Sequence, residues 1–277
     1  MASLLALSGA VLWGVGDFLG GLASRRLAVV AVLAISQAVG LAGVALWVWI
    51  ASDPFPGLSE ILPAAAAGVA GLIGLGALYR GLAVGAMGIV APISAASPVV
   101  PLVVDAGRGL TPTVLQLLGI VLVLVGIVTL SRGPRGVETR RIAAGAGLAV
   151  VAALGFGGFV VGLDAGSDES APWAVVAARS ASVAFALAAA ALTSTSLRPP
   201  VRFMPALVAV GAFDTGANVC VAFATTKGSA GIVAVLSALY PIVTVVLARL
   251  VLAERLSAAR RIGGVTALAG ASLVASG

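Results

Sequence analysis

Ten apolar runs, each about as long as a helix must be to cross a bilayer, take up nearly the whole chain. They lie near residues 4–23, 28–51, 62–82, 88–106, 112–130, 143–163, 172–194, 203–225, 230–252 and 261–276. Inside lipid the backbone must satisfy its own hydrogen bonds, and single runs of this length do so as helices. The expected fold is therefore an all-α integral membrane protein of ten transmembrane helices. Composition agrees. Of 277 residues, 61% are hydrophobic and 9% charged, with a mean hydropathy of +1.18, whereas a soluble domain carries roughly a quarter charged residues. Met1 to Ala23 has no charged segment before it and reads as the first span rather than a leader.

What is missing narrows the chemistry. The chain has no histidine, and Cys220 is its single cysteine. Disulfides, zinc ligation, a Cys/His dyad and a Ser/His/Asp triad are excluded. No enzyme activity, cofactor or metal is expected. The formal charge of +6 comes from arginines placed singly or in pairs at the ends of apolar runs. There they anchor helices at the headgroups, so the charge does not point to nucleic acid.

The chain repeats itself. Residues 88–105, GIVAPISAASPVVPLVVD, align without a gap on residues 231–248, GIVAVLSALYPIVTVVLA, with Gly88 on Gly231 and Pro98 on Pro241. Trp13-Gly14 with Asp17-Phe18 aligns on Leu154-Gly155 with Gly158-Phe159, and Gln37 falls opposite Arg179. Gly119 and Gly126 fall opposite Gly263 and Gly270. These matches divide the chain into residues 1–137 and 138–277, five spans each. An odd number of spans per copy makes the second copy enter the membrane from the opposite side. The result is an inverted-topology repeat, an arrangement that places a solute site near the midplane between the halves.

Proline inside a helix leaves the carbonyl four residues earlier without its N–H partner. Pro98, Pro101 and Pro241 would free the carbonyls of Ser94, Ser97 and Ser237. Kinks are expected at Pro98 or Pro101 and at Pro241. The three serines become candidates for solute contact at one depth.

Ionisable residues within a span are costly and mark a pathway or a buried pair. Asp17, Arg179 and Asp214 are placed in this way. Trp13 shares a helix face with Asp17, and Asn218 shares one with Asp214. Gln37, Tyr79 and Tyr240 add hydrogen-bonding groups in other spans. The candidate cavity is lined by Trp13, Asp17, Gln37, Tyr79, Ser94, Ser97, Arg179, Asp214, Asn218, Ser237 and Tyr240. Arg179 either binds a substrate carboxylate or neutralises Asp214. Proton coupling through Asp17 or Asp214 is compatible with their positions. Asp105 and Asp164, at span ends, read as interfacial anchors, and the glycine pairs Gly16/Gly20 and Gly158/Gly162 as surfaces for close helix approach.

Several of these segments resemble the drug/metabolite transporter superfamily, in particular its ten-helix EamA-type members. The resemblance is carried by Trp13-Gly14, by Tyr79 with Gly81-Leu82, by the Ala91/Pro98 segment and by Leu236-Ser237-Ala238-Leu239-Tyr240-Pro241 followed by Leu252-Ala253-Glu254-Arg255-Leu256-Ser257. It covers nearly the whole chain. It implies a secondary active transporter of the inner membrane, an exporter or exchanger of amino acids or other small metabolites working by alternating access. A passive channel or facilitative pore is the alternative. The chain departs from the family in carrying Arg108 where the first copy usually has a glutamate matching Glu254. It also has Gln37 where an arginine often stands, with the arginine appearing instead as Arg179.

Alternate loops differ in charge. One set holds Arg25, Arg26, Arg80, Arg132, Arg135, Arg140, Arg141, Arg198, Arg202, Arg255, Arg260 and Arg261. The other holds little beyond Arg108 and Lys227, and its loops at 52–60 and 164–170 are acidic. The positive-inside rule puts the arginine-rich set in the cytoplasm and both termini outside.

Overall fold

A computed structural model of the chain describes residues 1–84, 93–94, 96–131, 139–252 and 257–277. It is all-helical among these residues. The helices are α1 (Ala2–Ser24), α2 (Val29–Ala51), α3 (Leu58–Val84), α4 (Val99–Gly107), α5 (Val114–Ser131), α6 (Thr139–Ala165), α7 (Ala171–Leu192), α8 (Met204–Thr225), α9 (Ala230–Ser237), α10 (Tyr240–Leu252) and α11 (Ala258–Ser276). Seven segments are long and apolar enough to cross a membrane: Ala2–Ser24, Val29–Ala51, Leu58–Leu78, Gly145–Ala165, Ala171–Leu192, Val201–Thr225 and Ala230–Leu247. Val114–Thr129 and Arg261–Ser276 are apolar but shorter. The fourth run is described only in part, and the boundary expected at 137/138 lies outside the described residues.

Large apolar side chains such as Leu4, Trp49, Leu62, Val103, Leu118 and Leu250 point outward. An apolar exterior of this extent suits a hydrocarbon solvent. Trp47, Trp49 and Phe55 are exposed near one end, where aromatic rings favour the headgroup level. The interior is built mostly of Ala, Gly and Val around Leu163, Leu207, Leu236 and Ile127, so the helices pack closely.

The main helix pairings recur when the two halves of the chain are exchanged. Helix α1 packs on α8 as α3 packs on α6, α2 packs on α8 as α3 packs on α7, and α1 packs on α9 and α10 as α6 packs on α4. The pairs α2–α7, α4–α9 and α5–α11 each join corresponding helices. Two glycines show the correspondence at atomic level. A Cβ at Gly14 would stand 2.7 Å from the Tyr240 carbonyl oxygen, and one at Gly157 would stand 2.6 Å from the Ser97 carbonyl oxygen. Gly14 and Gly157 are 143 residues apart, and so are Ser97 and Tyr240. This register corrects the sequence alignment of the first span by two residues. Trp13 corresponds to Phe156 rather than Leu154, and Asp17 to Val160 rather than Gly158. Of the expected glycine pairs only Gly162 is pressed, 2.7 Å from the Pro63 carbonyl oxygen, while Gly16, Gly20 and Gly158 have ordinary clearance.

Both proline segments break their spans. Helix α9 ends at Ser237 and α10 starts at Tyr240; α4 starts at Val99 with Pro98 as its N-cap. The carbonyls of Ser94 and Ser97 are not left free, because Ser97 N–H donates to Ser94 at 3.2 Å and Val100 N–H to Ser97 at 3.2 Å. The chain tightens to three-residue spacing and recovers the partners that proline removes. This corrects the expectation of solute-seeking carbonyls at these two positions.

Adding a Cβ that meets both a valine Cβ and a backbone carbonyl of the facing segment, as at Gly14 and Gly157, should destabilise by about 1–3 kcal/mol. Gly14→Ala and Gly157→Ala should therefore each lower the thermal midpoint of the detergent-purified protein by several degrees. Gly43→Ala, whose Cβ would meet nothing within 4 Å, should leave it unchanged or raise it.

Candidate functional site

A cavity of about 250 Å³ lies among the helices of both halves. Its walls include Trp13, Asp17 and Gly21 of α1, Gln37 of α2, Leu72, Leu75 and Leu78 of α3, and Ser97. The other half contributes Phe156, Phe159 and Val160 of α6, Arg179 and Ser182 of α7, Asp214 and Asn218 of α8, and Ser237 and Tyr240. Nine of the eleven residues expected from the sequence thus meet around one space. Ser94 is buried and does not line it among the described residues. Tyr79 is on α3, with its side chain outside the described residues.

Arg179 is 3% exposed. Its NH1 donates to Asp214 Oδ2 at 2.7 Å and also to Gln37 Oε1. Gln37 Nε2 completes a triangle by donating to the same Asp214 oxygen at 3.0 Å. Of the two arrangements open at the sequence level, this is the neutralising one. The Nε and NH2 groups of Arg179 are enclosed without a hydrogen-bond partner. Beside the triangle, Trp13 Nε1 donates to Asn218 Oδ1 at 3.0 Å, tying α1 to α8. The Trp13 ring meets Phe159 edge-on, with centroids 6.3 Å apart. Asp17 has no hydrogen bond or ion pair among the described residues and is exposed to the cavity. The Ser237 hydroxyl is turned back on its own helix, donating to the Val233 carbonyl at 2.7 Å. Ser182 likewise donates to the Gly68 carbonyl at 2.9 Å.

The lining residues differ in exposure from one end of the cavity to the other. Asp17 and Gly21 are exposed and Leu75 and Leu78 half-exposed, on the side of Arg25 and Arg26. Gly157, Val160, Ala234, Ser237 and Asn218, on the opposite side, are buried. Polar bonds between the halves cross that opposite end. Ser170 donates to Asp53 Oδ2 at 2.7 Å, and Trp173 Nε1 donates to the Asp53 carbonyl at 3.1 Å while its ring packs edge-on against Phe55. Arg108 pairs with Asp164 at 2.9 Å. Asp105, expected as an interfacial anchor, is 2% exposed, and its Oδ2 accepts the Gly231 N–H at 2.6 Å at the start of α9. Such a carboxylate satisfies an orphan donor of the helix N-terminus and is favoured by its dipole.

Sequence reasoning did not find the apolar wall of Leu72, Leu75, Leu78, Phe156 and Phe159. Single apolar residues carry no signal in a chain this apolar. Only the corrected repeat register, which sets Phe156 opposite Trp13, could have pointed to one of them.

Removing one member of a buried ion pair leaves the other charged and unpaired, a loss of about 3–5 kcal/mol. Asp214→Asn, which strands Arg179, should destabilise toward the lower end of that range, since Asp214 keeps some exposure. Arg179→Gln combined with Asp214→Asn should recover most of the loss. Thermal midpoints of the two single variants and the double variant measure this coupling.

The profile of the EamA-like transporter family matches the chain twice, over residues 1–132 and 143–276. A comparison with curated proteins gives no significant match. A solved crystal structure superposes with a TM-score of 0.81 at 20% sequence identity, covering 98% of this chain and 95% of the other, so the fold is shared. The family match spans both halves and nearly every helix described above, and the chain belongs to the EamA-like transporters of the drug/metabolite transporter superfamily, multi-pass membrane proteins.

Proposed function

We propose that the chain is a secondary active transporter of the inner membrane that exports or exchanges small organic metabolites by alternating access. The carrying observation is a cavity walled by both halves, its exposed lining residues toward the arginine-bearing end and its other end crossed by bonds between the halves. We take the architecture as ten spans, two inverted repeats of five meeting near residues 137 and 138. In this reading the halves rock about the cavity. Opening toward Lys227 breaks the Asp53–Ser170, Arg108–Asp164 and Asp105–Gly231 contacts together. The Arg108–Asp164 pair is partly exposed and therefore modest, and the contacts are few, so a solute's binding energy can shift their balance. The solute is held among Trp13, Asp17, Asn218 and Tyr240.

A lock across the bonded end tests the cycle. In a Cys220→Ser background, Asp53→Cys with Ser170→Cys should cross-link under oxidation, stop counterflow in proteoliposomes and recover it on reduction. Undiminished flux in the cross-linked protein would instead indicate a pore that needs no rocking.

Arginine counts place the exposed end in the cytoplasm. Ser167 is buried, so an exposed neighbour is the better reporter. A cysteine at Glu169 should react with an impermeant maleimide in intact cells, and one at Ser196 should react only after permeabilisation.

A further inference from the structure

The charges around the cavity do not balance. Asp17 and Asp214 line it against Arg179 alone, among the described residues. Arg179 is already engaged by Asp214 and Gln37 through NH1. Its Nε and NH2 are buried without a partner among the described residues, and its charge is already neutralised by Asp214. Asp17 is the opposite case, a carboxylate open to the cavity with no partner of its own. Trp13 lies one helical turn away on the same face, and Phe156, Phe159 and Tyr240 add aromatic surface. Ring faces attract an ammonium and give no help to a carboxylate. A low-dielectric wall of Leu72, Leu75 and Leu78 strengthens whatever ionic contact forms.

We infer that the transported solute is an organic cation, a protonated or quaternary amine with an apolar or aromatic body, whose charged group seats on Asp17 beside Trp13. This rests on the reading of the cavity as the transport site. It narrows the solute class, because a zwitterionic amino acid would bring a carboxylate that Asp17 repels and that finds the cavity's guanidinium already paired with Asp214. The amine lacking that carboxylate is the better ligand.

Charge variants of one skeleton decide the matter. The purified full-length protein is titrated calorimetrically in detergent with 2-phenylethylamine, benzyltrimethylammonium, 2-phenylethanol, phenylalanine and 3-phenylpropionate. Both cations should bind at least tenfold more tightly than the neutral, zwitterionic and anionic compounds. Asp17→Asn should abolish that preference, Asp17→Glu should keep it, and Trp13→Ala should weaken cation binding. Failure of both cations to bind, equal or tighter binding of phenylalanine or 3-phenylpropionate, or cation binding unchanged in Asp17→Asn would overturn the inference. If the preferred compound is uncharged or anionic yet sensitive to Trp13→Ala, the cavity stands as the transport site and only the charge assignment falls. Binding indifferent to Trp13→Ala would remove both.

Discussion

A guanidinium set among alanine, glycine and valine has to be neutralised where it stands. Arg179 is nearly inaccessible, and the cost of desolvating its charge is offset only by close, well-aligned partners. Asp214 supplies the counter-charge from α8 and Gln37 an acceptor from α2. The triangle therefore joins three helices drawn from both halves of the chain. Its geometry also sets the character of the cavity beside it. With the charge of Arg179 met by Asp214, the rest of the cavity wall is largely aromatic and apolar, with Asp17 open to it.

Backbone satisfaction imposes the second constraint. A helix broken in a bilayer must find new partners for the groups it releases. The break before α4 does this within the chain, through the Ser97 and Val100 N–H groups. The start of α9 does it across the chain, with Asp105 accepting the Gly231 N–H and the Ser229 hydroxyl accepting that of Ile232. Borrowing a cap from the other half couples the position of α9 to that of α4. In the proposed cycle, motion between the halves could not leave this helix end untouched.

How much of this could be read from the residues follows from what each signal depends on. Helices were legible because runs of this hydropathy admit no other fold in lipid. Asp17, Arg179 and Asp214 were legible because charge within a span is expensive whatever surrounds it. The duplication was legible through the segment pair containing Pro98 and Pro241, where no gap intervenes. It was misjudged by two residues at Trp13, where glycine and alanine are so frequent that several registers score alike. The fates of the serines could not be read. Whether Ser237 faces a solute or returns to the Val233 carbonyl depends on a rotamer, and whether the Ser94 carbonyl is orphaned depends on how tightly the chain winds ahead of Pro98. Asp105 was misread because its partner, the Gly231 N–H, is 126 residues away.

The scaffold and the site differ in symmetry. Exchanging the halves carries Gly14 onto Gly157 and the Tyr240 carbonyl onto that of Ser97, so the backbone framework is nearly preserved. The chemistry is not. In the same register Asp17 corresponds to Val160, Asp214 to Gly71 and Asn218 to Leu75. In the rocking cycle proposed above, a duplicated framework would give two arrangements of similar packing energy, related by exchange of the halves' conformations. Charged and polar groups confined to one member of each pair are not exchanged with them. Their hydration and partners must therefore differ between the arrangements, and that difference in free energy, rather than the packing, sets which one the empty protein favours. The bonds at Asp53, Arg108 and Asp105 all belong to the arrangement seen here, and in the proposed cycle a solute would move the balance only by interacting differently with the two arrangements.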